Sequence, residues 1–170
     1  MGKFIRACVT CIDTLNLWIG KCARWLLLPV IFILLYEAVV RYAFNSPTNW
    51  SVELSSFMFG AYFILGGAYT LLKDEHVRMD ALYGNFSDKK RAVFDIITFS
   101  LLAIYMIVFI LGGTNSSLYS LKHNHHSASM WGPPLAPIKI ITTIGGFLVL
   151  LQGISNLIKD VATLFKRGHK

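Results

Sequence analysis

Charged residues are scarce in this chain. Asp, Glu, Lys and Arg make up 15% of its 170 residues, against about 25% in a typical soluble domain. Apolar residues reach 55%, and the mean hydropathy is +0.56. This composition excludes an ordinary soluble domain and predicts one integral membrane domain over residues 1–170. The net charge of +7 therefore indicates membrane topology and not nucleic-acid binding.

Residues that bind metals or haem are also few. Cys8 and Cys11 have C-x-x-C spacing, but the chain lacks the second pair or βαβ context that such motifs need. All five histidines fall in expected loops or the tail, whereas a b-type cytochrome needs histidines inside facing helices. We expect no cofactor and no enzymatic activity. The histidine cluster His123–His126 lacks a cysteine or carboxylate to complete a four-ligand site, and the sequence leaves open whether it binds a metal ion.

Internal repeats are not evident either, and the charges lie near the ends of the apolar runs. Secondary transporters usually combine repeats with broken helices that meet at the membrane midplane. The spans also offer few polar groups with which to hold a substrate. We therefore do not expect a stand-alone carrier, and an accessory subunit of a larger membrane complex remains.

Four apolar runs are long enough to cross a membrane. A helix rises 1.5 Å per residue, so about 20 apolar residues cover a ~30 Å hydrocarbon core. The predicted fold class is an all-α integral membrane protein with four transmembrane helices, and Pro29 is expected to kink the first. We place the helices at 21–42, 50–72, 92–121 and 138–158, a loop with a short amphipathic helix at 73–91, a loop at 122–137 and a tail at 159–170.

The segment 1–20 predicts an amphipathic helix on the membrane surface. Its apolar residues recur at helical spacing, and a largely polar face lies opposite. The alternative is that this segment extends the first spanning helix.

Lysine and arginine divide unevenly between the two sides of such a bundle. Thirteen of the 16 fall in three regions, which are residues 1–24, the loop at 73–91 and the tail at 159–170. The other side holds Arg41, Lys122 and Lys139. By the positive-inside rule both termini are predicted to be cytoplasmic, and the loops after the first and third spanning helices, the latter at 122–137, are predicted to face outward.

Glu37 is the first candidate site residue, because a carboxylate inside a span is costly unless it is paired. Arg41 follows it by one helical turn, in the order that favours an ion pair. A short turn makes the first two helices antiparallel neighbours and returns Glu53 to the same depth. We predict a cluster of Glu37, Arg41 and Glu53, with Trp50 in the headgroup belt. The alternative is that these charges only hold the two helices together.

Small and amide side chains mark the predicted helix contacts. Glu53, Ser56, Gly60 and Gly67 follow one another at steps of three, four and seven, which gives the second helix a small, polar face. Such a face lets another helix approach closely, and Gln152 likewise needs a partner across a helix interface. Spacing alone does not show whether these partners belong to this chain.

Two loops complete the set of candidates. His76, Arg78 and Asp80 alternate along the 73–91 loop, which is typical of a solvated turn or of a partner contact. Trp131 is expected at the membrane interface, and Pro133 is expected in an extended, rigid segment beside it.

Five segments, taken together, carry a family resemblance. They are Glu37-Ala-Val-Val-Arg41-Tyr42, the turn from Asn45 to Glu53, Gly66-Gly67-Ala68-Tyr69, His76-Val-Arg-Met-Asp80 and the stretch from Trp131 to Pro137. This combination resembles the DctQ-type small membrane subunit of tripartite ATP-independent periplasmic (TRAP) transporters. The resemblance covers nearly the whole chain, and the Trp-x-x-Glu turn with His-Val-Arg-x-Asp is its most specific part.

The resemblance implies a four-helix scaffold in the bacterial inner membrane, without a substrate site of its own. The partners it implies are a large, elevator-type DctM subunit that holds the substrate and sodium ions, a periplasmic DctP-type binding protein and membrane lipids. Together they would take up an organic acid, a carboxylate or sulfonate, in a sodium-coupled reaction. The substrate is not identified, because the residues that select it lie in the partners. The alternative is an accessory subunit of another membrane complex.

Under this resemblance the candidate residues act in assembly. Glu37, Arg41 and Glu53 would fix the outer ends of the first two helices. His76, Arg78 and Asp80 would organise the cytoplasmic loop and its contact with the large subunit or with lipid headgroups.

Overall fold

The chain folds into α-helices in a computed structural model that describes residues 3–73 and 88–167. Within these ranges four helical segments are long and apolar enough to cross a membrane, namely Ile5–Ala43, Ser51–Leu72, Thr98–Lys122 and Ala136–Lys159. The prediction of an all-α chain with four such helices is confirmed for the described ranges. The side that each terminus faces stays a prediction. His76, Arg78, Asp80 and the amphipathic helix expected in that loop lie outside the described residues.

Five helices follow one another along the described chain. A short 3₁₀ turn at Arg24–Leu26 separates the first two. In chain order they are α1 (Lys3–Ala23), α2 (Leu27–Ala43), α3 (Ser51–Leu72), α4 (Asp88–Lys122) and α5 (Ala136–Arg167).

The 3₁₀ turn between α1 and α2 has a local cause. Pro29 has no N–H to donate to the carbonyl of Trp25, and its ring crowds that carbonyl. A tighter turn just before the proline accommodates the lost hydrogen bond. Ala23 and Leu27 on either side keep right-handed helical backbone angles, so α1 and α2 form one interrupted helical run.

Both halves of this run turn the same face to the bundle. Buried positions recur at every seventh residue across the 3₁₀ turn, a spacing of nearly two helical turns. Whether α1 also lies on the membrane surface stays a prediction. The buried residues are Val9, Asn16, Ala23, Val30 and Glu37.

The other helices pack around α5. Gly145 lies against Ile64, and Asn156, further along α5, donates to the carbonyl of Leu71 at 2.8 Å, so α3 and α5 run parallel. α4 runs antiparallel to α5, and α1 also contacts α5. A small core is buried between α3 and α5, with side chains of α1 and α4 at its edge. It comprises Ala68, Leu148 and Val149, with Ile19, Leu65 and Met106 packed against them.

A glycine allows the close approach of α3 and α5. A Cβ atom at Gly145 would lie 2.7 Å from Cγ1 of Ile64 and 3.2 Å from the backbone carbon of Ile64. The backbone cannot move aside cheaply, so this contact requires a residue without a side chain.

The small face predicted for the second helix lies beside α5. Gly60 is exposed, yet a Cβ atom there would lie 3.8 Å from Cδ1 of Ile138, and one at Gly67 would lie 3.5 Å from Cγ2 of Val149. Small residues permit a contact but do not fix how the helix is rotated, and here other small residues face inward. They are Ser51, Ser55, Ala61 and Ala68.

Large apolar side chains on α2 and α4 point away from the bundle. Phe32 is 68% exposed, Tyr42 85% and Leu101 65%. In water such surfaces promote association, whereas in a bilayer they contact acyl chains or a partner helix.

Candidate functional site

The first polar site lies where α2 ends and α3 begins, and we call its members Glu37, Arg41, Thr48 and Ser51 the Glu37 cluster. Oε1 of Glu37 accepts hydrogen bonds from Nε and Nη2 of Arg41 at 3.0 and 2.6 Å. Oε2 accepts from the Thr48 N–H at 3.2 Å, from the Ser51 hydroxyl at 2.7 Å and from the Thr48 hydroxyl. A buried carboxylate therefore ties the end of α2 to the start of α3.

Glu53 does not join Glu37 and Arg41, contrary to the prediction. Its carboxylate instead accepts a hydrogen bond from the hydroxyl of Ser129, in the loop between α4 and α5, at 2.5 Å. The reason is helical rotation, because residues two apart are turned by about 200°. Ser51 faces Glu37, so Glu53 must face elsewhere.

The loop that carries Ser129 reverses at a glycine. Gly132 has a φ of +58°, a conformation that glycine adopts without steric cost, and its N–H donates to the Ser129 hydroxyl at 3.1 Å. Pro133 is buried at this reversal, and Trp131 is 42% exposed. The Glu53–Ser129 bond therefore attaches this loop to α3.

Trp50 lies just before α3 and is half-buried. Its ring packs against Tyr36 of α2, with ring centres 5.9 Å apart. The headgroup position predicted for Trp50 stays a prediction, while the structure gives this side chain a contact between α2 and α3.

The histidines at 123–126 use ring nitrogens in local contacts. His123 Nδ1 lies 3.0 Å from the Tyr119 carbonyl, and His126 Nδ1 lies 2.7 Å from the Gly132 carbonyl. In the ranges that the structure describes, no three His, Cys, Asp or Glu side chains are grouped to hold a metal ion.

The second polar site joins α1 to α5 and α3, and we call it the Gln152 cluster. Gln152 is fully buried. Its Oε1 accepts from Nδ2 of Asn16 at 2.7 Å, and its Nε2 donates to Asp13 at 2.9 Å and to Asn156 at 3.1 Å. The members of the cluster are Asp13, Asn16, Gln152, Ser155, Asn156 and Lys159.

Asp13 connects this cluster to the end of the fourth span. Its carboxylate accepts from the Ser155 hydroxyl at 2.9 Å and pairs with Nζ of Lys159 at 2.6 Å. Gln152 was predicted to need a partner on another helix, and the structure provides Asn16 and Asp13 of α1 in this same chain. The arrangement can attach α1 to α5 through several directional bonds, and these bonds fix the register of the two helices.

Sequence reasoning missed Asp13 and Asn16, which fell within a predicted surface helix. The available signal was the seven-residue spacing that places Asn16 on the face shared with Ala23 and Val30. Asn16 is fully buried, and its Oδ1 has no hydrogen-bond partner among the described residues. The pairing of Asn16 with Gln152 is consequently its main polar contact.

Replacing both members of this pair should cost less than the sum of the two single replacements. Gln152→Leu or Asn16→Leu leaves a buried amide without its partner, and each should lower the free energy of unfolding by about 1–3 kcal/mol. The double variant removes both polar groups and should cost clearly less than the two single losses added together. Unfolding in mixed micelles with increasing dodecyl sulfate measures all three. Additive losses would show that the two amides do not stabilise each other.

The chain was also compared with known proteins. The family model described as "Tripartite ATP-independent periplasmic transporters, DctQ component" matches residues 30–163. This range includes the whole Glu37 cluster and the α5 members of the Gln152 cluster.

A curated relative is the "Sialic acid TRAP transporter permease protein SiaT" of Haemophilus influenzae (strain 86-028NP). It is 30% identical to this chain over 97 residues, which is 55% of this chain and 15% of that relative. The chain therefore spans only a small part of the length of this relative.

Proposed function

The chain belongs to the DctQ family of components of tripartite ATP-independent periplasmic transporters, and we propose that it is the scaffold for a larger, DctM-type membrane subunit. Family membership makes it a multi-pass membrane component of a TRAP transporter that works together with other TRAP components. The scaffold role, the identity of the partners and the transported solute are parts of the proposal.

The main support for the scaffold role is that the buried polar groups are hydrogen-bonded within the chain. In the described spans, Glu37 is hydrogen-bonded to Arg41, Thr48 and Ser51. Gln152 is hydrogen-bonded to Asn16, Asp13 and Asn156. Groups that bind a solute must be available to it and aimed into a cavity. These groups are committed to joining helices, which is what a rigid support requires.

The outward faces of α2 and α4 support the same role. Their large apolar side chains, such as Phe32 and Leu101, are largely exposed in the isolated chain. Inside a bilayer a second membrane subunit can cover such a face through shape and van der Waals packing. We propose that one of these faces contacts the DctM-type subunit.

The proposed reaction is sodium-coupled uptake of an organic acid across the bacterial inner membrane. A DctP-type binding protein would deliver the acid, and the large subunit would hold both acid and sodium. The printed name of the curated relative refers to sialic acid, so a sialic acid is a reasonable first probe. The ordered loop around Ser129 and the Glu37 cluster would then lie on the periplasmic side, as the distribution of Lys and Arg predicts.

Co-purification tests the scaffold proposal. When the tagged chain is expressed with the DctM-type subunit of the same transporter and extracted in mild detergent, we expect both in a 1:1 complex. A four-helix membrane protein of another family with the same tag is the control and should retain none of the large subunit. Recovery of the chain alone, in detergents that keep the large subunit folded, would contradict the proposal.

A further inference from the structure

An apolar groove lies open between α4 and α5. It has a volume of about 360 Å³, and Val108, Gly112, Ser116, Lys139 and Thr142 are among its lining residues. The Thr142 hydroxyl donates to a carbonyl of its own helix, so it does not make the wall polar. Gly112 is one of these lining residues, and a Cβ atom there would meet no atom within 4 Å, so this position has room for a larger side chain.

A lysine lies at one end of this groove. Nζ of Lys139 donates to the Ser120 hydroxyl at 2.7 Å, and its other two N–H groups are left for further acceptors. Lys122 lies nearby at the last residue of α4. Among the described residues no carboxylate pairs with Lys139 or Lys122. This end of the helix pair therefore carries positive charge without a partner in the described chain.

The length of the groove fits one leaflet of a bilayer. From Val108 to Ser116 the α4 wall rises about 12 Å, and one half of the hydrocarbon core is about 15 Å thick. Lys139 lies in the first turn of α5, near the start of the candidate span Ala136–Lys159, so in a bilayer this end of the groove would meet the headgroups. The groove consequently runs from the headgroup level towards the midplane.

We propose that this groove binds one anionic phospholipid of the adjoining leaflet. An acyl chain lies along Gly112, and the phosphate accepts hydrogen bonds from Lys139. A lipid fits because it combines an apolar chain of this length with an anion at the level of the lysine. The site is independent of the proposed transport function.

Lipid titration of the purified full-length chain tests this site. Native mass spectrometry in detergent should show one dioleoylphosphatidylglycerol bound in preference to dioleoylphosphatidylcholine. Lys139→Gln should weaken phosphatidylglycerol binding about tenfold, the lower end of what a hydrogen bond to a charged group contributes, and reduce the preference for it. Gly112→Leu fills the groove and should abolish the site for both lipids.

Two matched variants and a fold check serve as controls. Lys122→Gln removes a nearby charge that does not line the groove, and Gly66→Leu adds the same side chain at another open glycine; both should bind lipid like the wild type. Unchanged melting temperatures confirm that all four variants are folded. The added leucine at Gly112 meets open space, so that variant remains informative even if Lys139→Gln loses stability.

Three results would overturn the proposal. Wild-type binding by Gly112→Leu would place the lipid outside the groove. Equal losses in Lys139→Gln and Lys122→Gln would indicate diffuse attraction and no defined phosphate site. If Gly112→Leu reduces co-purification of the large subunit and leaves lipid binding unchanged, the groove belongs to a protein partner.

Discussion

Glu37→Gln is expected to lower the yield of folded protein several-fold and to reduce its melting temperature. The substitution keeps the size of the side chain but replaces one carboxylate oxygen with an amide NH₂ group. In the Glu37 cluster both oxygens face donors, Arg41 on one side and the Thr48 N–H on the other. Neither donor can accept a hydrogen bond, so an amide leaves a donor facing a donor in either orientation.

The measurement is the amount of monodisperse protein recovered by size-exclusion chromatography, together with thermal unfolding in the same detergent. A several-fold change in abundance is typical when a buried contact of this kind is lost. Uptake by cells that carry the complete transporter should fall in parallel, because less scaffold is available for assembly.

Glu53→Gln is the matched control. It makes the same chemical change in the first turn of α3, but its partner is the hydroxyl of Ser129, which can still donate to the amide oxygen. We expect yield and melting temperature close to those of the wild type. If the two variants behave alike, the Glu37 cluster does not have the structural importance we assign to it.

The spanning helices could be predicted from the sequence because hydropathy and helical rise alone determine them. The Glu37–Arg41 pair could also be predicted, because residues four apart on a helix are neighbours whatever surrounds them. Both inferences use local information, and tertiary packing does not change either of them.

The rest of the Glu37 cluster depends on how α2 and α3 are rotated about their axes. The short turn between the first two helices predicts that Glu53 lies near the same end of the bundle as Glu37. It does not predict which way the Glu53 side chain points. Ser51 takes the inward position, and Glu53 turns towards Ser129. Small residues on several faces of α3 permit more than one rotation, so their spacing predicts a helix contact for Gly60 but not how exposed that glycine is.

The pairing of residues within the Gln152 cluster could not be predicted, for a different reason. Asn16 and Gln152 are separated by 136 residues, and no periodic pattern connects them. The polar residues of segment 1–20 suit a membrane surface and a buried helix contact equally well. The structure shows that Asp13 and Asn16 make a helix contact with α5. The position of α1 relative to the bilayer stays a prediction.

The second large effect that we expect is the loss of transport when either membrane subunit is left out. If the chain is the scaffold that we propose, it cannot move a solute alone, and its absence should leave the large subunit poorly supported. We expect liposomes with the large subunit and this chain to take up the organic acid when the loaded binding protein and an inward sodium gradient are supplied. Liposomes with either membrane subunit alone should show no uptake above protein-free liposomes.

Uptake by these three kinds of liposome is the most direct test of the scaffold role. The account predicts sodium-dependent accumulation only where both membrane subunits are present. Accumulation driven by this chain alone would contradict it, and so would full uptake by the large subunit without the chain.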